Sequence, residues 1–478
     1  MRNALLFALL VSTGAFLAAS APPAPAPGPP LPEGVVIERV VCADAPSQSY
    51  ALLLPKGFAG HRGPWPILYL FDARARGAFA ARLFAPSAAE RGFVVASSNN
   101  TTSDGPMDPN VTAFRALWRD THARFAIDPR RVYAGGFSGG ARIATLMAST
   151  APGTIAGVVG CGAGFHREVR AKPPFVFFGA VGNRDFNFDE MRELDETLKG
   201  LGASRHVEVF DGDHGWPPPD VCADALDWLD LQAAKSGTRP ADQAVPDRLW
   251  TRFSGRAAAF ERDGRLLAAI REYGRAADDF RGLRDVSPLE QARDRLVGTA
   301  AGKRALREES ARIERDRDYR EHTAEVWGEI RTGESLPAAR ILQELDVSGL
   351  QARAASDPGS EESLSAERLL SEIYVQTGFY LPRGYREEKN WARAILCLSV
   401  ATQIRPKSPG AWYAMAAVEA LSGHGSRAIE DLEQAAARGF SDAEDLDRDP
   451  DFASLRGTER YRVLLDRLRA ARPAAPRG

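Results

Sequence analysis

Short apolar runs alternate with longer, helix-like segments along residues 35–232. Several of these runs are nearly continuous in Val, Ile and Phe, which is typical of strands buried on both faces of a parallel sheet. Glycine-rich turns separate the two kinds of segment. The alternation predicts an α/β domain with a mostly parallel sheet. The strand candidates, in chain order, are VVIERVV, PILYLF, GFVVASS, RVYAGGF, IAGVVGCG, PFVFFGAVG and RHVEVF.

The pattern changes after the linker-like segment SGTRPADQAVP, where strand candidates end and charged, Ala/Leu/Arg-rich helical patterns begin. Ser287-Pro288-Leu289-Glu290 has the cap, the first-turn proline and the acidic third position of a helix start. We therefore expect an all-helical region over 245–355, which a second break, RAASDPGSEES, follows. An apolar stripe at helical spacing within this region consists of Leu266, Ile270, Tyr273, Ala277 and Phe280.

Residues 363–443 contain a repeated pattern. The motif Ala-Ile-x-x-Leu that begins at Ala394 recurs at Ala428, an offset of 34 residues. This helix–turn–helix period resembles the tetratricopeptide repeat, which implies antiparallel helix pairs with a surface for a protein partner. In this interpretation the segment FYLPRGYREEK lengthens a turn of the first unit. A nonspecific helical bundle is the alternative, and residues 444–478 are expected to form a helical tail.

The amino terminus has the pattern of a secretory signal. Arg2 supplies a positive charge, Ala4–Ala19 is apolar and uncharged, and small residues lead to a cleavage site after Ser20. We predict a signal peptide over 1–20, with a retained membrane anchor as the alternative. The Pro-rich residues 21–34 predict a semi-rigid linker. The protein is therefore expected to be exported, to the periplasm or the extracellular space, with no membrane span after signal removal.

The composition excludes several classes of protein. Lys and Arg number 61 against 63 Asp and Glu, so the chain is not a generally basic nucleic-acid-binding protein. Four cysteines cannot form a disulfide framework. Cys161 and Cys222 fall near predicted strand ends and could pair in an exported protein, although buried free thiols are the default expectation. The sequence has no metal-ligand spacing and no phosphate-binding loop, so neither metal nor cofactor is expected.

The strongest chemical signal is Gly136-Phe137-Ser138-Gly139-Gly140, in which a predicted strand runs into a predicted helix. In this context Gly-x-Ser-x-Gly places a serine hydroxyl above the sheet on a sharp turn. The two outer glycines allow the strand and the helix to approach each other. The Gly139 amide and the helix start would then lie where negative charge develops during acyl transfer.

A serine hydroxyl needs a base, and the base needs a group that fixes its tautomer. His214 lies in a polar loop directly after the strand RHVEVF, where such a base belongs. Asp185 lies in the turn after PFVFFGAVG, between the serine and the histidine in chain order. Asp189 and Asp211 are the alternatives for the acid, but Asp189 is expected to cap a helix and Asp211 is close to His214 along its loop.

The order Ser, Asp, His, each after a separate strand, resembles the α/β-hydrolases. The segments GFSGGAR, GNRDFNF and FDGDHGWPP resemble secreted feruloyl esterases and polyhydroxybutyrate depolymerases, close to dienelactone-hydrolase-like proteins. The resemblance implies that Ser138 is the nucleophile, His214 the general base and then acid, Asp185 the residue that orients the histidine, and Gly139 one oxyanion-hole amide.

The sequence departs from that family after the third strand. Many members carry His-Gly there, and the next residue supplies the second oxyanion amide, whereas this chain has Leu70-Phe71-Asp72-Ala73-Arg74. By position Arg74 is the expected donor, with Ala73 as the alternative. Losing one donor lowers the rate by about 10²–10³-fold.

The sequence thus predicts an exported serine hydrolase that cleaves a carboxylic ester of unknown size through an acyl-enzyme, without a cofactor. One alternative is a peptidase that uses the same residues. Another is a catalytically silent hydrolase-fold protein whose helical repeats recruit a protein partner. Phe137 and Trp216 lie near the predicted mouth of the site and are candidates for substrate lining, with ordinary packing as the alternative.

Overall fold

The strand candidates of the first half lie in one sheet in the computed structural model. The structure describes residues 31–61, 63–239, 244–332 and 337–471, so the predicted signal peptide lies outside the described residues. The described strands of the sheet are β1 (Val36–Cys42), β2 (Ala45–Leu53), β3 (Trp65–Phe71), β4 (Val94–Ser98), β5 (Ile127–Phe137), β6 (Gly157–Cys161), β7 (Val176–Gly182) and β8 (Arg205–Phe210).

Seven of these eight described strands match the sequence prediction, and β2 is the one it lacks. Strand β2 reads APSQSYALL, and only its second half is buried. Because its first half is polar, the strand does not form an apolar run like those from which the other strands are predicted. The strand nevertheless pairs antiparallel with both β1 and β4.

The sheet order is β1-β2-β4-β3-β5-β6-β7-β8, and the pairs from β4 through β3 to β8 are parallel. Parallel strands end at the same edge of a sheet. The register aligns the last residues of neighbouring strands, with Phe71 opposite Gly136 and Gly182 opposite Phe210. The loops after β3, β5, β7 and β8, which hold the candidate site residues, therefore begin at one edge.

Helices cover both faces of this sheet. Alternate residues of β3 belong to different cores: Leu68 and Leu70 pack with α1 and α5, whereas Ile67 and Tyr69 pack with α2, α3 and α4. This burial on both faces explains why the strands read as continuous apolar runs. The helices are α1 (Gly77–Arg91), α2 (Met107–Arg124), α3 (Gly139–Thr150), α4 (Phe188–Gly200) and α5 (Pro219–Lys235).

Three further helices pack against the α1 and α5 side: α6 (Ala244–Arg262), α7 (Leu266–Phe280) and α8 (Ser287–Gly298). Phe253 and Phe280 share one core with Trp228 of α5, and all three are fully buried. The apolar stripe predicted on α7 is the face that enters this core.

The chain divides into two compact units, Met1–Glu308 and Glu309–Gly478. The range 245–355, which the sequence groups as one helical region, is therefore split between them. An apolar stripe shows that a helix packs, but it does not show which element the helix packs against.

Buried charged groups connect β8 to α6 and α7. His206 Nδ1 of β8 lies 2.7 Å from Asp279 Oδ2 of α7, and the Trp228 indole donates to Asp279 Oδ1 at 2.6 Å. Arg256 of α6 donates to Glu208 of β8 at 2.5 Å. Burial by itself lowers the pKa of His206, but the neighbouring Asp279 and Glu208 carboxylates outweigh it and raise the pKa to about 9.

The unit Glu309–Gly478 is helical in its described residues. Its core has one apolar cluster that includes Leu369 and Leu398 and a second that includes Leu432 and Tyr461. Its helices are the end of α9 (Ala300–Thr332), α10 (Ala338–Glu344), α11 (Val347–Ser356), α12 (Glu361–Val375), α13 (Leu381–Glu387), α14 (Trp391–Ile404), α15 (Pro409–Leu421), α16 (Gly425–Ala437), α17 (Ala443–Arg448) and α18 (Glu459–Ala471). Among the described helices of the whole chain, none is long and apolar enough to cross a membrane.

Helices occupy the region of the predicted repeats. Ala394 of α14 and Ala428 of α16, the positions 34 residues apart, are both fully buried. The segment FYLPRGYREEK does not lengthen a turn. A π-helical segment, Gln376–Tyr380, continues α12 directly into α13, and Pro382, which has no N–H to donate, follows it. The tetratricopeptide assignment of 363–443 stays a prediction.

We expect the free energy of unfolding to fall as the pH rises from about 7 to about 9. Folded protein holds the His206 proton up to pH about 9, whereas unfolded chains release it near 6.5. The stabilisation is therefore complete below pH 6.5 and is lost as the pH passes through 9. Urea unfolding at a series of pH values measures this slope, which is on the order of 1 kcal/mol per pH unit.

The variant His206→Gln tests the origin of that slope. It should be less stable than the wild type at pH 7, and its stability should change less between pH 7 and pH 9. Parallel pH dependences in the two proteins would contradict the assignment to His206.

Candidate active site

Ser138 occupies a one-residue turn between β5 and α3, with a left-handed φ of 54°. A non-glycine residue is strained in that conformation. A Cβ at Gly136 would lie 2.3 Å from the Gly140 backbone, and a Cβ at Gly140 would lie 1.9 Å from the Phe71 carbonyl oxygen. Only glycine fits at these two positions, and the turn lifts the Ser138 side chain off the end of the sheet.

Three side chains meet in a hydrogen-bonded chain at this edge. His214 Nε2 lies 3.0 Å from Ser138 Oγ, and His214 Nδ1 lies 2.8 and 2.9 Å from the two carboxylate oxygens of Asp185. An imidazole protonated at Nδ1 donates to the carboxylate and leaves Nε2 free to accept from the serine hydroxyl. Asp185 is fully buried, whereas Ser138 and His214 are partly exposed.

The alternative acids of the sequence analysis lie elsewhere. Asp189 is in the first turn of α4, with its carboxylate 3.3 Å from Arg192. Asp211 is exposed and pairs with Arg184 at 2.6 Å. The structure thus brings Asp185, and neither alternative, to His214.

Gly162 and Asn187 fix the surroundings of this pair. The Asn187 amide N–H donates to Asp185 Oδ1 at 2.8 Å, and the Asn187 side chain donates to the Gly162 carbonyl at 2.7 Å. Gly162 has a φ of +64°, and a Cβ there would lie 3.2 Å from Asp185 Oδ2 and 3.3 Å from His214 Cε1. Neither residue carries a sequence signal of its own, because its role depends on how the loops meet.

Polar contacts join the loop that carries Asp185 to the loop that carries His214. The Arg184 side chain donates to Asp211 at 2.6 Å and to Asp213 at 3.2 Å. Its backbone amide donates to the Gly212 carbonyl at 3.0 Å. The segment that precedes His214 in its loop is therefore fixed to the loop that carries Asp185.

Aromatic rings surround the imidazole. Ring centroids of Phe137 and Phe186 lie 4.7 and 4.2 Å from that of His214. Trp216 lies 5.8 Å from Phe137 by the same measure. Phe137 is nearly buried, so it supports the imidazole, whereas Phe186 and Trp216 are partly exposed.

The amides on the oxyanion side differ in their availability. Gly139 begins α3, so its N–H has no partner within the helix. The Arg74 amide, in contrast, donates to Asp72 Oδ1 at 2.8 Å and is occupied. The Ala73 amide donates to no acceptor within the described part of the chain. The Arg74 amide, which is the donor expected by position, is therefore bonded to the Asp72 carboxylate.

Asp72 is fully buried and accepts hydrogen bonds from three residues. These are the Arg74 amide, the amide and guanidinium of Arg76, and the indole of Trp216. Burial by itself raises the pKa of Asp72, but the bonds from Arg76, Trp216 and the backbone outweigh it and hold the pKa below its usual value. An acid directly after six buried strand residues, with Arg four positions later, is the signal that sequence reasoning passed over.

The sheet order and the strand–turn–helix at Ser138 are those of an α/β-hydrolase fold. No protein-family model and no curated protein matches the chain. Among solved structures, the fluorophosphonate-binding serine hydrolase FphF of Staphylococcus aureus is 14% identical, with TM-score 0.35, over 41% of this chain and 99% of FphF. A ferulic acid esterase is 14% identical, with TM-score 0.33, over 41% and 97% of the two chains. An esterase of Pyrobaculum calidifontis is 11% identical, with TM-score 0.35, over 42% and 86%.

Gly162→Ala is expected to slow the reaction of Ser138 with a fluorophosphonate probe by at least about tenfold. The added Cβ would lie 2.9 Å from Phe137 Cε2, 3.2 Å from Asp185 Oδ2 and 3.3 Å from His214 Cε1, so it pushes on the imidazole, on its carboxylate partner and on the ring that supports it. A displacement near 1 Å in such a site costs about 10² in rate, and a smaller one costs less. The second-order rate constant of labelling measures the effect.

Gly202→Ala is the matched control. Gly202 has nearly the same φ, +66°, but a Cβ there meets nothing within 4 Å. Both variants carry a left-handed alanine, which is strained by roughly 1–2 kcal/mol, so Gly202→Ala shows the effect of that strain without a contact at the site. Equal labelling rates in the two variants would show that Gly162 has no role at the site.

Proposed function

We propose that the chain is a serine hydrolase that cleaves carboxylic esters. The observation that carries the proposal is the hydrogen-bonded order Ser138, His214, Asp185, with the serine on a strained turn at a helix start. These are the positions that a nucleophile, a general base and a residue that orients the base require.

The first half of the reaction forms an acyl-enzyme. Ser138 Oγ attacks the ester carbonyl while His214 Nε2, 3.0 Å away, takes the hydroxyl proton. The buried Asp185 carboxylate stabilises the imidazolium that forms and holds its Nδ1–H in place.

The carbonyl oxygen becomes negative in the tetrahedral intermediate. The Gly139 amide and the positive end of α3 face the region next to Ser138, and the Ala73 amide is the second donor in this proposal. Loss of one such donor lowers the rate by about 10²–10³-fold, so the occupied Arg74 amide matters only if Ala73 fails to replace it.

The second half returns the enzyme to its starting state. His214 gives its proton to the leaving alcohol oxygen, and a water molecule then enters. His214 takes a proton from that water, the resulting hydroxide attacks the acyl carbon, and Ser138 leaves with the proton from His214. The partly exposed Phe186 and Trp216 are the side chains that we expect to border the acyl or alcohol group.

The sequence pattern supports two further parts of the proposal. The signal-like residues 1–20 support export, to the periplasm or the extracellular space. The repeat-like residues 363–443 support a protein partner for the helical unit. One observation favours a second function, a catalytically silent binding protein: the Arg74 amide is not free to bind an oxyanion.

We expect a fluorophosphonate probe to label the purified mature protein, and Ser138→Ala to abolish labelling. Activation of Ser138 by His214 is the reason, since an unactivated serine hydroxyl is a weak nucleophile. Labelling is measured on folded samples, and a panel of short acyl, aryl and polyester substrates with matched amides then separates an esterase from a peptidase. A folded wild-type protein that is not labelled would favour the silent binding protein.

Asp185→Asn is expected to lower kcat for an aryl ester by about 10³–10⁴-fold, because the amide group no longer fixes the productive tautomer of His214. Steady-state kinetics measure the change. Asp189→Asn is the control, since Asp189 is paired on α4 and does not reach His214 in the structure. A large loss in the Asp189 variant, with activity kept in the Asp185 variant, would move the acid role to Asp189.

A further inference from the structure

Asp72 is the second fully buried carboxylate at the site besides Asp185 among the described residues. The mechanism above gives it no role. Its oxygens nevertheless join three parts of the site: the loop after β3, the start of α1 and the loop that carries His214.

The two carboxylate oxygens of Asp72 have separate partners. Oδ1 accepts from the Arg74 amide at 2.8 Å, from the Arg76 amide at 3.2 Å and from Arg76 Nε at 3.0 Å. Oδ2 accepts from Arg76 Nη2 at 2.9 Å and from Trp216 Nε1 at 2.8 Å. One oxygen thus shapes the loop that presents the Ala73 amide, and the other holds an indole from across the site.

Trp216 connects this carboxylate to the base. It follows His214 by two residues in the same loop, and its ring lies 5.8 Å from that of Phe137. The Phe137 ring in turn lies 4.7 Å from that of His214. Movement of Trp216 would therefore move both the loop and the aromatic support of the imidazole.

We propose that Asp72 is a positioning residue that fixes the oxyanion-side loop and the His214 loop relative to each other. It acts through Arg74 on one side and through Trp216 on the other, and it does not touch the reacting atoms. The proposal rests on the proposed function, because it assigns Asp72 a part in the same acyl transfer. A buried anion also requires its full set of partners, which makes the arrangement rigid.

Asp72→Asn tests this role with little change of shape. One of its two terminal atoms becomes an NH₂ group, which cannot accept a hydrogen bond. The variant therefore loses the acceptor for either the backbone amides or the indole, and it also loses the charge that pairs with Arg76.

Asp120→Asn is the matched control for general loss of stability. Asp120 is a buried aspartate that also accepts from an arginine four residues later, Arg124, at 2.7 Å. It also accepts from a backbone amide, that of Ala43 at 2.8 Å, and from the Tyr50 hydroxyl at 2.7 Å. None of these partners belongs to the loops that carry the candidate site residues.

The experiment compares the wild type, Asp72→Asn, Asp120→Asn, Trp216→Phe and the double variant Asp72→Asn/Trp216→Phe. Thermal unfolding establishes the folded fraction, and steady-state kinetics on an aryl ester give kcat and KM separately. We expect Asp72→Asn to lower kcat by about 10–100-fold with KM changed less than about threefold, since displaced groups act mainly on the transition state. Asp120→Asn should lose a similar amount of stability but keep kcat.

The double variant tests the route of the effect. If Asp72 acts through Trp216, kcat of the double variant should fall by a smaller factor than the product of the factors found for the two single variants. If Asp72→Asn does not fold, Trp216→Phe decides, because it removes the indole donor and keeps an aromatic ring. It should lower kcat by about tenfold with KM changed little, whereas loss of a substrate contact alone would raise KM.

The outcomes separate this inference from the proposed function. An active wild type with equal kcat in the Asp72 and Asp120 variants, or independent effects in the double variant, would overturn the positioning role and leave the hydrolase intact. A folded wild type that no fluorophosphonate labels would overturn both.

Discussion

The contact between the Phe71 carbonyl and the turn at Ser138 is the constraint on which the site depends. The oxygen lies so close to Gly140 that no side chain fits between them, and Gly136 is equally close to the Gly140 backbone. Strand β3 is therefore pressed against the start of α3, which brings the loop after β3 to Ser138. The parallel register carries the loops after β7 and β8 to the same edge. Any residue larger than glycine at these positions would separate the strand from the helix.

Two buried carboxylates then hold one loop at two points. Asp185 accepts from His214, and Asp72 accepts from Trp216 two residues later. Each carboxylate also receives a backbone amide from its own loop, Asn187 for Asp185 and Arg74 for Asp72. A buried anion is stable only when donors surround it, so each one fixes the segments that supply those donors. His214 is thereby held by charged partners, whereas Ser138 is held by backbone packing.

The sequence predicted the elements whose signals are local. Strand β5, the glycine turn and the loops of Asp185 and His214 each carry their pattern within a few residues. The hydrogen bond from the Arg74 amide to Asp72 was missed although its two residues are near neighbours in the chain, whereas the bond from Trp216 to Asp72 was not predictable because those residues are 144 positions apart. Strand β2 was missed because half of it is polar and exposed. The place of α6 to α8 was missed because amphipathic helices do not reveal their partner element.

The helices that cover β8 also determine where the chain can be cut. A fragment that ends after α5 would lack Phe253 and Arg256. The core beside the sheet would lose the Phe253 ring, and Glu208 would lose the guanidinium that donates to it. The same cut would also uncover the last strand of the sheet, where Arg275 of α7 now donates to the Val207 carbonyl at 2.7 Å. A bare sheet edge beside an apolar face invites pairing between molecules and aggregation. A fragment that keeps the sheet from aggregating therefore has to extend through α8, so that the cover of β8 is expressed together with the sheet.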